Sequence, residues 1–453
     1  MSNLFSRRHA LQSSVGGFGY LALSAMAARA ETVETDNRRT HHPPRAKRVL
    51  FLCMAGGPSH VDSFDYKPEL QRRAGQDMVV DDDGRRRRLG RVMASPWEFN
   101  RHGESGLSIS ELFPEIAKHA DKLCLLRGMQ TKVPAHPQAF LELHTGSSQF
   151  VRPSLGSWTV YGLGTENQNL PAFISLSPSS GNGGAQNYGN AFLPAPFQGT
   201  PVDLRRGGIA NINNPRLKPR KQREQLDLVQ SFNRNHQSQT GDADAIEGVI
   251  QSYELAFRMQ SSVPDVMNID AESEMTRRAY GLDESTTASF GRKCLTARRL
   301  LESGVRFVEV TQGGWDQHND IKTGHGNQAA LVDRPIAALL GDLADRGLLD
   351  ETLVLWGGEF GRTPVVQGGG GRDHNHLGYT MWMAGGGVKP GYSYGGTDPL
   401  GRKAIEGQMN THDLHATILH LLGLDHQRLT YNYAGRDFRL TDVYGNVAHD
   451  IIA

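Results

Sequence analysis

The chain has 453 residues, and its 49 Lys and Arg nearly balance its 48 Asp and Glu to leave a formal net charge of +1. This balance excludes the whole-molecule positive field of a protein that binds nucleic acid or an anionic membrane. Three Cys exclude a disulfide scaffold, and 52 Gly exclude a helical bundle or coiled coil, while the apolar fraction is that of a globular protein.

The first thirty residues have the layout of an export signal. Residues 1–30 contain no acidic residue, place Arg7 and Arg8 before an apolar run, and end in a small-x-small cleavage site. The paired arginines resemble a twin-arginine signal, which exports folded proteins. We therefore expect a periplasmic, extracellular or cell-surface protein with no membrane-spanning segment after the signal is removed. The polar, Pro-containing residues 31–45 are interpreted as a linker.

The remaining residues, 46–453, alternate between apolar runs and amphipathic stretches and are interpreted as a single domain. The apolar runs predict strands at 49–54, 123–126, 173–176, 305–310, 352–356 and 379–383. Such alternation predicts an α/β fold with a mostly parallel central sheet and helices on both faces. The polar segment at about 200–285 has sparse but periodic apolar residues, which predict a helical insertion.

Candidate metal ligands gather in four segments that follow predicted strands or a run of glycines. In an open parallel sheet, ligands bind beyond the carboxyl ends of the strands, so this placement favours a site. The candidates are Asp62, Asp316, His318, Glu359, Asp373, His374 and His376. Carboxylate and imidazole groups are ligands of Zn, Mn, Ca or Mg ions, and this number of ligands suffices for two ions. Two ions would clamp the attacking and leaving oxygens of a phosphoryl-type transfer.

Each segment also has a structural interpretation. The Gly-Gly-Pro-Ser-His-x-Asp segment that ends at Asp62 is also typical of a tight turn with Asp side chains as caps. Glu359 and Arg362 lie three residues apart and can form a local ion pair, although Arg362 can instead hold an anionic ester oxygen. The loop that carries Asp316 and His318 can be merely solvated, and His325 is a reserve ligand beyond it.

Three segments in order resemble the sulfatases. Residues 348–361 resemble the sulfatase stretch in which a strand ends in an acidic metal ligand, and residues 380–391 and 413–424 resemble two later sulfatase segments. The motifs GGPSHVDSFDYKPEL, GGWDQHND, GGEFGRTP and GRDHNH, together with the signal, resemble one exported bacterial family. That family is catalogued as domain of unknown function 1501 and is similar to the alkaline phosphatase/sulfatase superfamily.

The resemblance implies an alkaline-phosphatase-like α/β fold and a set of ligand roles. It implies that Asp62 ligates a metal at the end of the first strand, that Asp316 and His318 share one metal, and that Glu359 serves another. It further implies His374 or His376 as a late ligand.

The sequence departs from the superfamily where the nucleophile is expected. His136 stands in the place of the sulfatase cysteine that becomes formylglycine, and none of the three Cys lies there, so formylglycine chemistry is not expected. We interpret His136 as a nucleophile, a general base or an extra ligand. Ser59, which lies three residues before Asp62, is the other candidate for the nucleophile.

Three functions follow from these patterns. The first is an exported metal-dependent hydrolase of a phosphate or sulfate ester. The second is a catalytically degenerate binding protein for sulfated polysaccharide or a cell-surface partner. The third is a structural surface protein that associates through the insertion at about 200–285. The expected partner is an anionic ester or polysaccharide, not a nucleic acid.

Overall fold

A computed structural model describes residues 40–82, 84–206, 208, 209, 212, 216–239 and 243–453. The predicted signal at 1–30 and most of the predicted linker lie outside the described residues and stay predictions. Residues 40–453 cluster as one compact unit. No helix within the described part of the chain is both long and apolar enough to cross a membrane.

The main sheet contains nine strands. They are β1 Arg48–Met54, β2 Leu123–Gln130, β3 Phe173–Leu176, β4 Thr200–Val202, β5 Phe307–Gln312, β6 Thr352–Gly357, β7 Tyr379–Ala384, β8 Tyr392–Tyr394 and β9 Met409–Asn410. All six predicted strands are present. The observed β5 begins and ends two residues later than predicted, because Thr311 and Gln312 still pair with Cys53 and Met54 of β1.

The strand order is β8-β2-β7-β6-β1-β5-β3-β4, with β9 paired to β2 as well. Every pair is parallel except the two that involve β7, which is antiparallel to β6 and to β2. The α/β class with a mostly parallel central sheet is therefore confirmed. Strand β1 lies between β6 and β5, so the segments that follow these three strands emerge side by side at one edge of the sheet.

Ten α-helices are described. They are α1 Pro68–Arg72, α2 Pro114–Ala117, α3 His136–Thr145, α4 Leu155–Leu163, α5 Pro219–Gln239, α6 Ala243–Met267, α7 Glu274–Ala279, α8 Ala288–Glu302, α9 Ile321–Asp345 and α10 Thr411–Leu421. Alternate residues of β1 enter different cores, since Leu50 and Leu52 pack with α8 and α9 while Phe51 and Cys53 pack with α3, α4 and α10. The sheet is thus buried on both faces, as its continuous apolar strands require.

Short antiparallel pairs lie around the main sheet. They join Asp77–Asp82 to Arg85–Arg91, Phe99–His102 to Leu107–Ser110, Gly361–Arg362 to His374–Asn375, Gly396–Thr397 to Ala404–Glu406, and Tyr431–Tyr433 to Arg436–Phe438. The pair at Gly361–Arg362 and His374–Asn375 is the one that positions the site, because it brings the segment after β6 beside the segment that precedes β7.

Two long helices occupy most of the segment at about 200–285. Arg223 of α5 joins them, since its Nη1 and Nη2 donate to Glu254 Oε2 and Oε1 of α6 at 2.8 and 2.9 Å. The sparse apolar residues of this segment give it a thin interior, and large apolar side chains such as Phe232 remain exposed. None of the metal-ligand candidates lies on these helices.

Candidate metal centre

Four separate segments meet at the carboxyl edge of the sheet. Asp316 and His318 follow β5, His374 lies in the short pair before β7, and His136 is the first residue of α3 after β2. Gly56, after β1, allows the close approach of the β5 segment, because a Cβ at this position would lie 2.8 Å from the Asp316 backbone N. Its φ of +116° is also a conformation that glycine adopts readily and other residues avoid.

We call four of these residues the histidine cluster: His136, Asp316, His318 and His374. Their possible ligand atoms all lie within 4.8 Å of one another. Asp316 Oδ1 lies 3.2 Å from His136 Nε2, 2.9 Å from His318 Nε2 and 3.2 Å from His374 Nε2. The Nε2 atoms of His318 and His374 are 3.1 Å apart. Three ring nitrogens therefore converge on one carboxylate oxygen.

The outer nitrogen of each ring has an acceptor of its own. His136 Nδ1 donates to Glu359 Oε1 at 2.6 Å, His318 Nδ1 donates to Gln367 Oε1 at 2.5 Å, and His374 Nδ1 donates to the Pro134 carbonyl at 2.7 Å. Because a neutral imidazole carries one proton, a proton on Nδ1 leaves a lone pair on Nε2. Outer acceptors of this kind orient metal-binding histidines in proteins.

The donor set of the histidine cluster fits a transition-metal ion. Two ligands that each lie about 2.0 Å from a tetrahedral zinc ion are roughly 3.3 Å apart, and the contacts in the cluster are 2.9 to 3.2 Å. His136 Nε2 is buried and makes no hydrogen bond of good geometry. Three imidazoles and one carboxylate suit Zn²⁺ or Mn²⁺, whereas Ca²⁺ and Mg²⁺ prefer oxygen ligands throughout.

The electrostatics of the histidine cluster call for a positive charge at its centre. Burial would raise the pKa of Asp316, but the adjacent His136 and His374 rings and the Arg362 guanidinium outweigh burial and hold the pKa well below its usual range. Burial likewise lowers the pKa of His136, but the carboxylates of Asp316 and Glu359 outweigh it and raise the pKa to about 9. Without a metal, a proton on His136 supplies that charge.

Glu359 and Arg362 stand behind the histidine cluster. Glu359 accepts from the Gly56 N–H at 3.0 Å and from His136, so it orients the His136 ring. Arg362 is fully buried, and its guanidinium donates to Asp316 Oδ1 at 2.7 Å and to backbone carbonyls, including that of Gly57 at 2.9 Å. Its hydrogen bonds therefore point into the protein and hold Asp316 in place.

Asp62 lies in a second group, which we call the paired group: Ser59, Asp62, His325 and Arg372. Arg372 Nε donates to Asp62 Oδ2 at 2.7 Å and its Nη2 donates to Asp62 Oδ1 at 3.1 Å, a bidentate ion pair with both side chains fully buried. Ser59 Oγ donates to Asp62 Oδ2 at 2.6 Å, and the Ser59 N–H donates to His325 Nε2 at 2.9 Å.

The two remaining candidates lie outside the histidine cluster. Asp373 is at the rim, with its side chain 55% exposed and its Oδ1 3.7 Å from His318 Nδ1. His376 contributes its backbone carbonyl, which accepts from the Thr131 N–H at 2.9 Å, and burial lowers the pKa of its ring. Residues two apart in an extended segment share a face, but the short strand ends at Asn375, so His376 does not join His374 in the histidine cluster.

The sequence interpretation brought Asp316, His318 and His374 forward as ligands and His136 as a residue of open role. It assigned no role to Gln367, Arg372 or the Pro134 carbonyl. A glutamine beside a run of glycines and a proline before a helix carry no signal of their own. The free Cys residues 53, 124 and 294 are all buried.

The chain matches one protein family and is distantly similar to several solved structures. No curated protein matches the chain significantly. The PsFucS1 sulfatase from Pseudoalteromonas sp. is 13% identical, with a TM-score of 0.35 over 88% of this chain and 70% of its own. The phosphonate monoester hydrolase SpPMH from Silicibacter pomeroyi is 11% identical, with a TM-score of 0.36 over 83% of this chain and 73% of its own.

A third similar structure is a protein in the alkaline phosphatase superfamily from Vibrio parahaemolyticus. It is 12% identical, with a TM-score of 0.36 over 85% of this chain and 68% of its own. The family model described as "Protein of unknown function (DUF1501)" matches residues 46–452, nearly the whole of the predicted domain, and this chain therefore belongs to that family.

Proposed function

We propose that this protein is an exported metal-dependent hydrolase that cleaves a phosphate or sulfate ester at the histidine cluster. One observation carries the proposal: three Nε2 atoms, each freed by a hydrogen bond on Nδ1, converge on the carboxylate of Asp316. Ligands of one tetrahedral zinc ion lie about as far apart as these atoms do, so a single divalent ion among them would join all four residues.

The residues of the histidine cluster would hold one divalent ion through the Nε2 atoms of three histidines and Oδ1 of Asp316. When bound, such an ion polarises an ester oxygen and lowers the pKa of a coordinated water. His318 and Asp316 have side chains 34% and 43% exposed, whereas His136 is only 16% exposed. An ester therefore approaches from the side of Asp316 and His318.

Water is the proposed nucleophile, because Ser59 is fully buried and its hydroxyl already donates to Asp62. His136 is proposed as a ligand, since its Nε2 faces Asp316. Asp373 lies at the exposed rim, where its Oδ1 is 3.7 Å from the outer nitrogen Nδ1 of His318, so we assign it no role in proton transfer. Oxygen of water bonds to phosphorus or sulfur, the ester bond breaks, and the alcohol leaves with a proton.

The alternative is a binding protein that retains an anionic polysaccharide without turnover. It is favoured by the buried state of Ser59 and by Arg362, whose guanidinium is engaged by Asp316 and backbone carbonyls and so is turned away from a substrate. In either case we propose that the twin-arginine signal predicted at 1–30 exports the folded protein, so that its anionic ligand would lie outside the cytoplasm and the metal could be loaded before export.

The experiment compares two histidines of the same motif. Mature protein and the variants His374→Ala and His376→Ala are purified, their Zn and Mn contents are measured, and hydrolysis of p-nitrophenyl phosphate, bis(p-nitrophenyl) phosphate and p-nitrophenyl sulfate is followed. We expect His374→Ala to lose the metal and at least about 100-fold in rate. The His376→Ala control should retain both, because His376 lies outside the histidine cluster.

Different outcomes separate the readings. Wild-type protein that binds none of these metals, or a rate that survives His374→Ala, contradicts the hydrolase. Stoichiometric metal with no turnover, together with retention of a sulfated polysaccharide that is lost in His374→Ala, supports the binding protein.

A further inference from the structure

A second set of ligating side chains lies in the core beneath the histidine cluster. Cys53 of β1, Glu309 of β5 and His144 of α3 have possible ligand atoms that all lie within 4.8 Å of one another. We call them the buried triad. All three are essentially inaccessible, with exposures of 0%, 2% and 3%. The functional site described above uses none of them.

The sheet register explains how the buried triad forms. Cys53 pairs with Thr311 across β1 and β5, and Glu309 lies two residues before Thr311, so the thiol and the carboxyl point to the same face of the sheet. Helix α3 covers this face and places His144 over it, with its ring 5.7 Å from the ring of Phe51. Three elements far apart in sequence therefore supply one residue each.

The hydrogen bonds of the buried triad do not neutralise the Glu309 carboxylate. His144 Nδ1 donates to the Phe140 carbonyl at 2.7 Å, which turns Nε2 toward Glu309 Oε1 at 3.3 Å. Glu309 also accepts from Thr311 Oγ1 at 2.9 Å, and a hydroxyl does not neutralise a carboxylate. A buried carboxylate requires a positive partner, either a proton on His144 or a metal cation.

A metal cation accounts for more of the surroundings than a proton does. A proton shared by His144 and Glu309 leaves the Cys53 sulfur without a role, whereas a metal uses all three side chains. The 3.3 Å between Nε2 and Oε1 is about the separation of two ligands on one tetrahedral zinc ion. Ser175 lies on the neighbouring strand in register with Glu309, and its hydroxyl is buried without a hydrogen-bond partner.

We propose that Cys53, His144 and Glu309 form a second metal site, closed to solvent, that takes a thiophilic divalent ion such as Zn²⁺. The thiolate excludes Mg²⁺ and Ca²⁺ as occupants, because these ions prefer oxygen. A divalent ion, a thiolate and a carboxylate sum to zero charge, which suits a closed core. Binding replaces the thiol proton of Cys53, which is released to solvent. The ion ties α3, which begins at His136, to the sheet.

The test uses cobalt as a spectroscopic probe. Since the buried triad is closed, mature full-length protein is expressed in medium with Co²⁺ or Zn²⁺ so that the metal enters during folding. We expect two ions per chain and a thiolate-to-cobalt charge-transfer band, which a site of only nitrogen and oxygen ligands lacks. Cys53→Ser should lose the band and one ion, whereas Cys124→Ser, at another buried free thiol, should keep both.

The second metal site can be tested independently of the proposed hydrolysis. His318→Ala should lose one ion and retain the charge-transfer band, because it removes a ligand of the histidine cluster alone. A wild-type cobalt protein without the band overturns the second site, even if Cys53→Ser fails to fold, and so does a band that survives Cys53→Ser. Two ions and the band in a protein without esterase activity would reject the hydrolase and keep this site.

Discussion

Two groups of charged side chains lie next to each other at the carboxyl edge of the sheet and differ in how their charges are matched. In the paired group, Asp62 is fully buried and both its oxygens accept from Arg372. In the histidine cluster, Asp316 is 43% exposed, and the ring nitrogens of three histidines converge on it beside the Arg362 guanidinium. The paired group contains an ion pair between two fully buried side chains, whereas the histidine cluster is partly open to solvent and brings together the ligand atoms of a possible metal site.

This difference distinguishes a structural group from a candidate functional site. Buried ion pairs with complete hydrogen bonds are typical of residues that define the fold, because losing either partner leaves a buried charge. A partly exposed carboxylate on which three histidines converge is instead typical of a candidate ligand site. The two groups share Arg362 as a neighbour, since its Nη2 donates to Asp316 and its Nη1 to the Arg372 carbonyl.

The largest expected effect comes from breaking the paired group. Asp62→Asn leaves the buried Arg372 guanidinium without a counter-charge, so the free energy of unfolding should fall by about 3–5 kcal/mol. Urea denaturation at pH 7 measures the change, with Asp373→Asn as the exposed control at roughly 0.5 kcal/mol or less. Metal content should be unchanged in both. An Asp62→Asn protein that loses metal but keeps its stability would make Asp62 a ligand.

A smaller effect should follow from the outer acceptor of His318. Gln367→Ala removes the carbonyl that holds His318 Nδ1, so affinity for the metal should fall about 10- to 100-fold. Competition with a chromophoric chelator measures the affinity, and Gln408→Ala, whose amide bonds to the Ala404 carbonyl, is the control. Equal affinities in wild type and Gln367→Ala would show that this hydrogen bond does not prepare the ligand.

Acid should weaken the fold through buried histidines. Burial lowers the pKa of His325 to about 3, and the same cause acts on His415. Below pH 6.5 each of these histidines binds a proton in the unfolded chain but stays neutral in the folded chain. Stability is therefore full above about pH 6.5 and falls toward pH 3, by up to about 1.4 kcal/mol per pH unit for each histidine.

The variant His325→Gln retains an acceptor for the Ser59 N–H and removes one titrating group. Its stability, measured by urea denaturation between pH 4 and 7, should fall less steeply with acid than that of wild type. Identical slopes would mean that His325 is protonated in the folded protein.

The smallest expected effect is on the metal-free histidine cluster. His318→Ala should change the free energy of unfolding of the metal-free protein by no more than about 0.5 kcal/mol, or raise it, because the variant removes one repelling lone pair. Thermal unfolding with and without Zn²⁺ is the measurement. Zinc that binds at the histidine cluster should raise the thermal unfolding midpoint of the wild-type protein, and the variant should not show this increase. A large loss of stability in the metal-free variant would assign His318 a structural role.

Much of the fold follows from local patterns. The six apolar runs form strands that are buried on both faces of the sheet. Each run is short, as is typical of a strand and not of a buried helix. The insertion at about 200–285 follows from helical spacing in a polar segment. The histidine cluster is predictable in part, since Asp316 and His318 follow one strand and His374 follows a run of glycines.

The sequence by itself determined which residue types stand at the strand ends and that several of them can bind metal. Only the tertiary structure decided which of them come together as candidate ligands and which form ion pairs. Asp62 and Asp316 both follow Gly-Gly after a buried strand. Yet Asp62 pairs with Arg372, which lies 310 positions further along the chain, and Asp316 is surrounded by three histidines. The physical reason is that a carboxylate's role depends on the charge that meets it, and these charges arrive from segments that local spacing cannot bring together.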